Sequence, residues 1–382
     1  MKLQPRNESW PGCWDDRSRG HALVAVLSLV WLVVQWHCWA ATSPVETLTV
    51  AKQFVLRQTW RALEMPALYE REGPFLQYGP YSFAIGPGNT LLTPDEEDTG
   101  IVILTPSSRQ LCAPRVHMTN MAERLSDIIC DGNLVYAGCA SSPRVLVFEV
   151  PSGRVVRDIA LRSDEPDDSI RPVWAAPTVS RVGLDSGGRL HALYREAADN
   201  GQVVIMQATF DHDGKRVRPD ARMSLQACQG VCGPNGEWLY PHPVRVPVGA
   251  GPALATRYEV WQAVPDGPPV AMDRLDGLAG TQGTVRELVG VDGKGHLYGV
   301  VAPFRWPPIG EAESGVFLVW WERSQRHVLG RITFTPGNKR AYGSRHAVVT
   351  RDGAVYALAA DRLPARPEDQ LSLTLVRFEK LP

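Results

Sequence analysis

A chain of 382 residues with 44% hydrophobic residues has ample apolar material for a core, and all-β barrels and propellers of this length often form one domain. The formal net charge of −1 excludes general nucleic-acid binding, which rests on many lysine and arginine contacts to phosphate. The 34 glycines and 31 prolines interrupt the chain too often for long helices.

Residues 1–21 are polar and of mixed charge, and an apolar run follows at 22–34 (ALVAVLSLVWLVV). A run of this length suits the core of a signal peptide, with Cys38-Trp39-Ala40 as a small-x-small cleavage site before Ala41. A membrane anchor over 22–41 is the alternative, favoured by the long leading segment with Asp15 and Asp16. Either way, residues 42–382 are expected outside the cytoplasm, whether secreted, periplasmic or anchored.

The next stretch carries two signals. Ser43-Pro44-Val45-Glu46 reads as a helix-capping box, yet TLTVAKQFVL at 47–56 is rich in β-formers. Topology decides between them, for a strand over 48–57 and a short helix around 59–64 before Pro66.

From residue 86 onward one local grammar recurs. DGNLVYA at 131–137 is its clearest copy: Asp-Gly favours a tight turn because Gly reaches the required backbone angles without steric cost. Ile128 and Ile129 begin the strand before it, and Leu134 and Tyr136 the strand after it. VLVFEV (145–150), the turn PSG and VVRDIAL (155–161) complete a four-stranded antiparallel meander, the size of a propeller blade. GPGNTLL with GIVILT (86–105), DSGGRLHALY with QVVIMQATF (185–210) and GPNGEWLY with RYEVWQAV (233–264) repeat the pattern. So do DGKGHLYGVV with VFLVWWE (292–322) and RDGAVYAL with LSLTLVRFEKL (351–381). The turn glycines Gly88, Gly132, Gly188, Gly236, Gly295 and Gly353 lie 44 to 59 residues apart, a sustained repeat with loop insertions. The expected fold is therefore all-β, a six-bladed β-propeller of four-stranded antiparallel meanders. The last repeat ends after its third strand, and an open blade edge invites aggregation. The strand at 48–57 is expected to close it by pairing with 373–378.

These residues resemble the NHL-type six-bladed β-propellers, whose repeats read Asp-x-x-Gly-x-(Val/Ile)-Tyr followed by an apolar strand and a glycine-containing turn. The resemblance covers roughly residues 46–382 and is best in the second, fifth and sixth repeats. It implies a binding scaffold, with enzymes a minority, and supplies no catalytic residues. The second repeat by itself also looks like a quinoprotein propeller repeat, but the other repeats lack that pattern's tryptophan ladder.

Beyond the N-terminal segment there are five cysteines, Cys112, Cys130, Cys139, Cys228 and Cys232. Cys228 and Cys232 could bridge a local loop or sit in the first strand of the fourth repeat. Zinc is not indicated, because no second Cys or His pair lies at ligand spacing.

A meander fixes which loops share a face. The short turns (DGN, PSG, HDG, PDG) lie on one side, and the long loops and inter-repeat connections on the other. Long loops on a rigid scaffold are where binding usually lives. Residues leading into the first strands, Arg115 and His117, Arg171 and Trp174, Arg286 and Glu287, and Arg345 and His346, line the axial mouth on that side. They could hold an anionic small molecule, or be ordinary loop charges paired with neighbours. Trp174 and Trp306 sit in long-face loops beside Arg171 and Arg305, the residue types that concentrate interface energy. Acidic clusters at 95–98 and 164–168 make calcium conceivable, though no EF-hand spacing is present, and no other cofactor is indicated.

Enzyme signatures are missing: there is no G-x-S-x-G elbow, H-E-x-x-H or P-loop. The sequence thus points to an exported, monomeric scaffold binding a protein or glycan through its long-loop face. The alternative is a metal-dependent hydrolase or lyase with its site at the axial mouth.

Overall fold

The computed structural model describes residues 46–59, 63–64, 76–77, 82–94, 101–104, 109–112, 125–140, 142–150, 152–161, 178–197, 202–248, 253–277, 282–304, 316–322, 325–333, 339–340, 347–360 and 370–380. The N-terminal segment proposed as signal or anchor lies outside them, and no helix among them is long and apolar enough to cross a membrane. Two 3-10 segments, Pro87–Asn89 and Leu225–Gln229, are their helical pieces.

After β1 (Glu46–Thr59) comes a two-stranded ladder of β2 (Leu63–Glu64) and β3 (Leu76–Gln77). Of the helix expected around 59–64, the described residues Thr59, Leu63 and Glu64 are strand instead. β1 continues extended to Thr59, and Leu63 and Glu64 pair with Gln77 and Leu76, so sheet hydrogen bonds claim this backbone.

Four antiparallel sheets of four strands follow in chain order. The first is β4 (Ala84–Gly86), β5 (Thr90–Pro94), β6 (Ile101–Leu104) and β7 (Arg109–Cys112). The second is β8 (Leu125–Asp131), β9 (Leu134–Cys139), β10 (Arg144–Glu149) and β11 (Arg154–Ala160). The third is β12 (Thr178–Leu184), β13 (Leu190–Ala197), β14 (Val203–Phe210) and β15 (Ala221–Met223). The fourth is β16 (Val231–Cys232), β17 (Trp238–Pro247), β18 (Leu254–Ala263) and β19 (Val270–Asp273).

The remaining strands are β20 (Gly283–Val291), β21 (Leu297–Pro303), β22 (Val316–Glu322), β23 (Gln325–Thr333), β24 (Lys339–Arg340), β25 (Ala347–Val349), β26 (Val355–Ala360) and β27 (Gln370–Lys380). Together with β1 they form one nine-stranded sheet. The ring therefore carries five blades, four sheets of four strands and this one of nine, not the six expected. The reason is β1, which pairs on both edges. It runs antiparallel to β27, with Leu48 opposite Lys380 and Arg57 opposite Ser372. It also runs parallel to β23, with Glu46 opposite Gly330. No break in the hydrogen-bonded ladder separates the last two repeats.

The core is a series of layers between facing sheets. Leu92 and Ile103 meet Ile128 and Phe148; Val145 and Ile159 meet Val182 and Leu190; Leu193 and Ile205 meet Trp238 and Tyr240. Val260 meets Leu288 and Trp321, and within the nine-stranded sheet Val289 and Leu318 meet Ala347 and Val355. Both faces of inner strands such as β9, β10 and β21 are buried, so their sequences read as near-continuous apolar runs.

The first strands of the repeats pack against one another in order, from β4 to β8, β12, β16, β20 and β25. The ring closes where the Tyr356 hydroxyl of the last repeat donates to Asn89 Oδ1 of the first, at 2.8 Å. No disulfide joins Cys228 to Cys232. Cys228 lies in the 3-10 segment and Cys232 in β16, and both pack in one apolar cluster with Trp238.

Candidate functional site

The turns that end the first strands explain the Asp-x-x-Gly grammar. Asp292 Oδ1 accepts the backbone N–H groups of Lys294 and His296, each at 2.9 Å, and Gly295 takes the left-handed angle (φ 85°) that closes the turn. Asp185 Oδ1 likewise accepts Arg189 N–H at 2.9 Å, beside Gly188 (φ 77°). The residue six positions after each aspartate then reaches Oδ2: His191 at 3.2 Å and Tyr298 at 3.0 Å. These side chains lie beneath the turn glycines of the following repeat, Gly236 and Gly353. Each turn is thus seated on its neighbour.

Four or five residues ahead of the turns a second set of polar groups links the first strands. Ser82 donates to Asp127 Oδ1 at 2.6 Å and accepts Ile128 N–H; Asp127 Oδ2 accepts Val182 N–H at 3.0 Å. Arg181 Nε donates to the Cys228 carbonyl at 2.9 Å, and Glu287 Oε1 accepts Ala347 N–H at 3.0 Å. These side chains are buried, so their hydrogen bonds are structural ties rather than ligand contacts.

Between the two sets lies an axial cavity of about 440 Å³. Its walls are the first strands of four repeats, and Ile85, Ile129, Val291 and Val349 are among the apolar residues that line it. Its rim is made of turn residues: Asn89, Asn133, Thr350, Arg351 and Asp352. The volume lies within the roughly 300–1,000 Å³ of small-molecule sites, and a few polar groups on an apolar pocket is their usual make-up.

Arg351 crosses the mouth. Its Nε lies 3.0 Å from Asp131 Oδ1, and its guanidinium sits beside Gly188. The Arg351 carbonyl accepts Gly293 N–H at 2.9 Å. Asp352 accepts the Thr350 hydroxyl. That bond, backbone N–H groups of the turn and the Arg377 charge outweigh burial and hold its carboxyl below the usual aspartate range. Cys130 lines the wall, and burial, then the Asp131 charge, push its thiol up to about 12. It is an unreactive thiol at neutral pH. Among the described residues no group of three or more His, Cys, Asp or Glu side chains could hold a metal ion.

Of the residues singled out from sequence, Arg286 is described: it is exposed, next to the buried Glu287. Arg115, His117, Arg171, Trp174, Arg305, Trp306, Arg345 and His346 lie outside the described residues, as do both acidic clusters. The cavity opens among the short turns, at the other end of the first strands from Arg286. Its rim residues are turn residues, which read as punctuation in the sequence. The one signal that could have found them is that Asn89, Asn133, Arg351 and Asp352 all stand within two residues of the repeated turn glycines.

No protein-family model matches the chain, and no curated protein matches it. Among solved structures it is similar to an oxidoreductase assigned as a glucose dehydrogenase from Thermus thermophilus, at 18% identity and a TM-score of 0.40, over 78% of this chain and 97% of that one. It is also similar to hydrazine synthase of Kuenenia stuttgartiensis (13%, TM-score 0.35, 78% of this chain and 79% of that one). A third is glutaminyl cyclase of Myxococcus xanthus (11%, TM-score 0.34, 88% and 100%). Likenesses at this level carry no statement about activity.

Proposed function

We propose that this protein is an exported β-propeller that serves as a binding scaffold, with a small-molecule site in its axial cavity. On this reading the nine-stranded sheet works as two blades of an NHL-like six-repeat ring, joined by β1. The observation that carries the reading is the cavity itself. It has apolar walls from four repeats and a rim of polar turn residues, and its one thiol is held protonated. Recognition of a protein or glycan remains assigned to the long-loop face, and export to the apolar run at 22–34.

The test is titration with 1-anilinonaphthalene-8-sulfonate, a fluorescent probe of apolar cavities. A saturable rise at one probe per chain, lost in a cavity-filling Ile129→Trp variant that keeps its melting temperature, is the expected result. No rise, or a rise unchanged in Ile129→Trp, would remove the cavity from consideration.

A further inference from the structure

We propose, building on the axial-cavity reading, that the ligand is an aliphatic monocarboxylate, its chain between the apolar first strands and its carboxylate at Arg351 and Asn89. The reasoning is an account of which hydrogen-bonding capacity at the rim is already used. On the acceptor side, Asn89 Oδ1 takes the Tyr356 hydroxyl at 2.8 Å. Asp352 takes the Thr350 hydroxyl and backbone N–H groups of its own turn. Asp131 takes Arg351 Nε at 3.0 Å.

The donor side is different. Asn89 is an exposed residue at the rim whose amide also carries two N–H donors, and a guanidinium held through Nε still presents its two terminal nitrogens as a fork. Charge points the same way. Arg351 offsets Asp131, and Arg377 acts on Asp352, so the rim does not repel an anion as two bare aspartates would. A rim whose Asn89 and Asp131 oxygens already hold a donor, and whose Arg351 fork faces outward, suits a ligand head that accepts. A planar carboxylate matches the guanidinium fork. The walls offer Ile85, Ile129, Val291 and Val349 to the remainder of the ligand, and an aliphatic chain suits them.

The experiment uses the full chain and three probes of equal length, octanoate, octanol and octylammonium, in calorimetric titrations at neutral pH. Octanoate is expected to bind at least about tenfold more tightly than the other two. Arg351→Gln should erase that advantage while leaving octanol unchanged, and Ile129→Trp should abolish all three. Asn89→Asp places a carboxylate at the rim without touching Arg351, keeps an acceptor for Tyr356, and suits the left-handed backbone there (φ 60°). It should weaken octanoate about tenfold and serves if Arg351→Gln fails to fold. Octylammonium binding as tightly as octanoate, or octanoate indifferent to both rim variants, overturns the carboxylate assignment and leaves the cavity reading standing. If none of the three binds while the fluorescent probe still does, the carboxylate assignment falls alone. If the fluorescent probe also fails, both readings fall.

Discussion

The Asp127 carboxylate accepts the backbone N–H of Val182 at 3.0 Å through one oxygen and the Ser82 hydroxyl at 2.6 Å through the other, so one buried side chain ties three consecutive repeats together. Arg181 faces it at 3.7 Å. Asp127→Ala removes an acceptor for all of these, and breaking such a buried charged cluster costs about 3–5 kcal/mol. Asp127→Asn keeps one oxygen and should cost about 1–3 kcal/mol. Urea denaturation measures both, and an alanine variant as stable as the natural chain would show that the packed layers hold the ring without this tie.

His191 gives the fold a pH dependence. Burial lowers its pKa, and the opposing pull of Asp185 is the weaker effect. The native ring is then neutral where the unfolded one, with a pKa of about 6.5, already takes up a proton. Stability contributed by the neutral ring is complete above about pH 6.5 and is lost as pH falls through that value. Melting temperature should drop between about pH 7.5 and 5.5, and less steeply in His191→Gln. Equal slopes in the two proteins would assign the dependence to other groups.

Gly236 covers the same ring. Its φ of 84° disfavours any side chain, and a Cβ there would overlap His191. Gly236→Ala should therefore lose more than about 2 kcal/mol in denaturant melts, and a change near zero would mean that the turn shifts freely.

β1 pairs with β27 along most of its length and with β23 at its start. Deleting residues 42–60 exposes two strand edges at once, so a sharp fall in melting temperature and gain in aggregation are expected. Unchanged melting would show that the sheet closes without it.

On the long-loop face, replacing Arg171, Trp174, Arg305 and Trp306 by alanine should leave melting intact and weaken capture of partners from envelope extract. If the tryptophans instead plug the core, each truncation costs about 3–5 kcal/mol and the melting curve reports it. Stable variants with undiminished capture would withdraw this face as a binding surface.

The repeated hairpin was legible because its causes are local. Asp292 accepts N–H groups two and four residues on, and Gly295 sits inside the same turn, so a short window of sequence contains every group that makes it. The closing strand was legible from topology: an unpaired last strand needs a partner, and 47–56 was the β-rich stretch left over. The short helix around 59–64 was misread because its capping signals are local while the ladder to Leu76 and Gln77 that overrides them is not.

Sequence alone determined that this chain folds as antiparallel meanders repeated around an axis, because turn chemistry and apolar alternation act between near neighbours. Tertiary structure decided the rest. The parallel pairing of Glu46 with Gly330 merges the last two repeats into one sheet, and the reach of Arg351 to Asp131 sets the rim of the cavity. These contacts join residues far apart in the chain, whose geometry is set by how the sheets pack around the axis, and no local pattern encodes it.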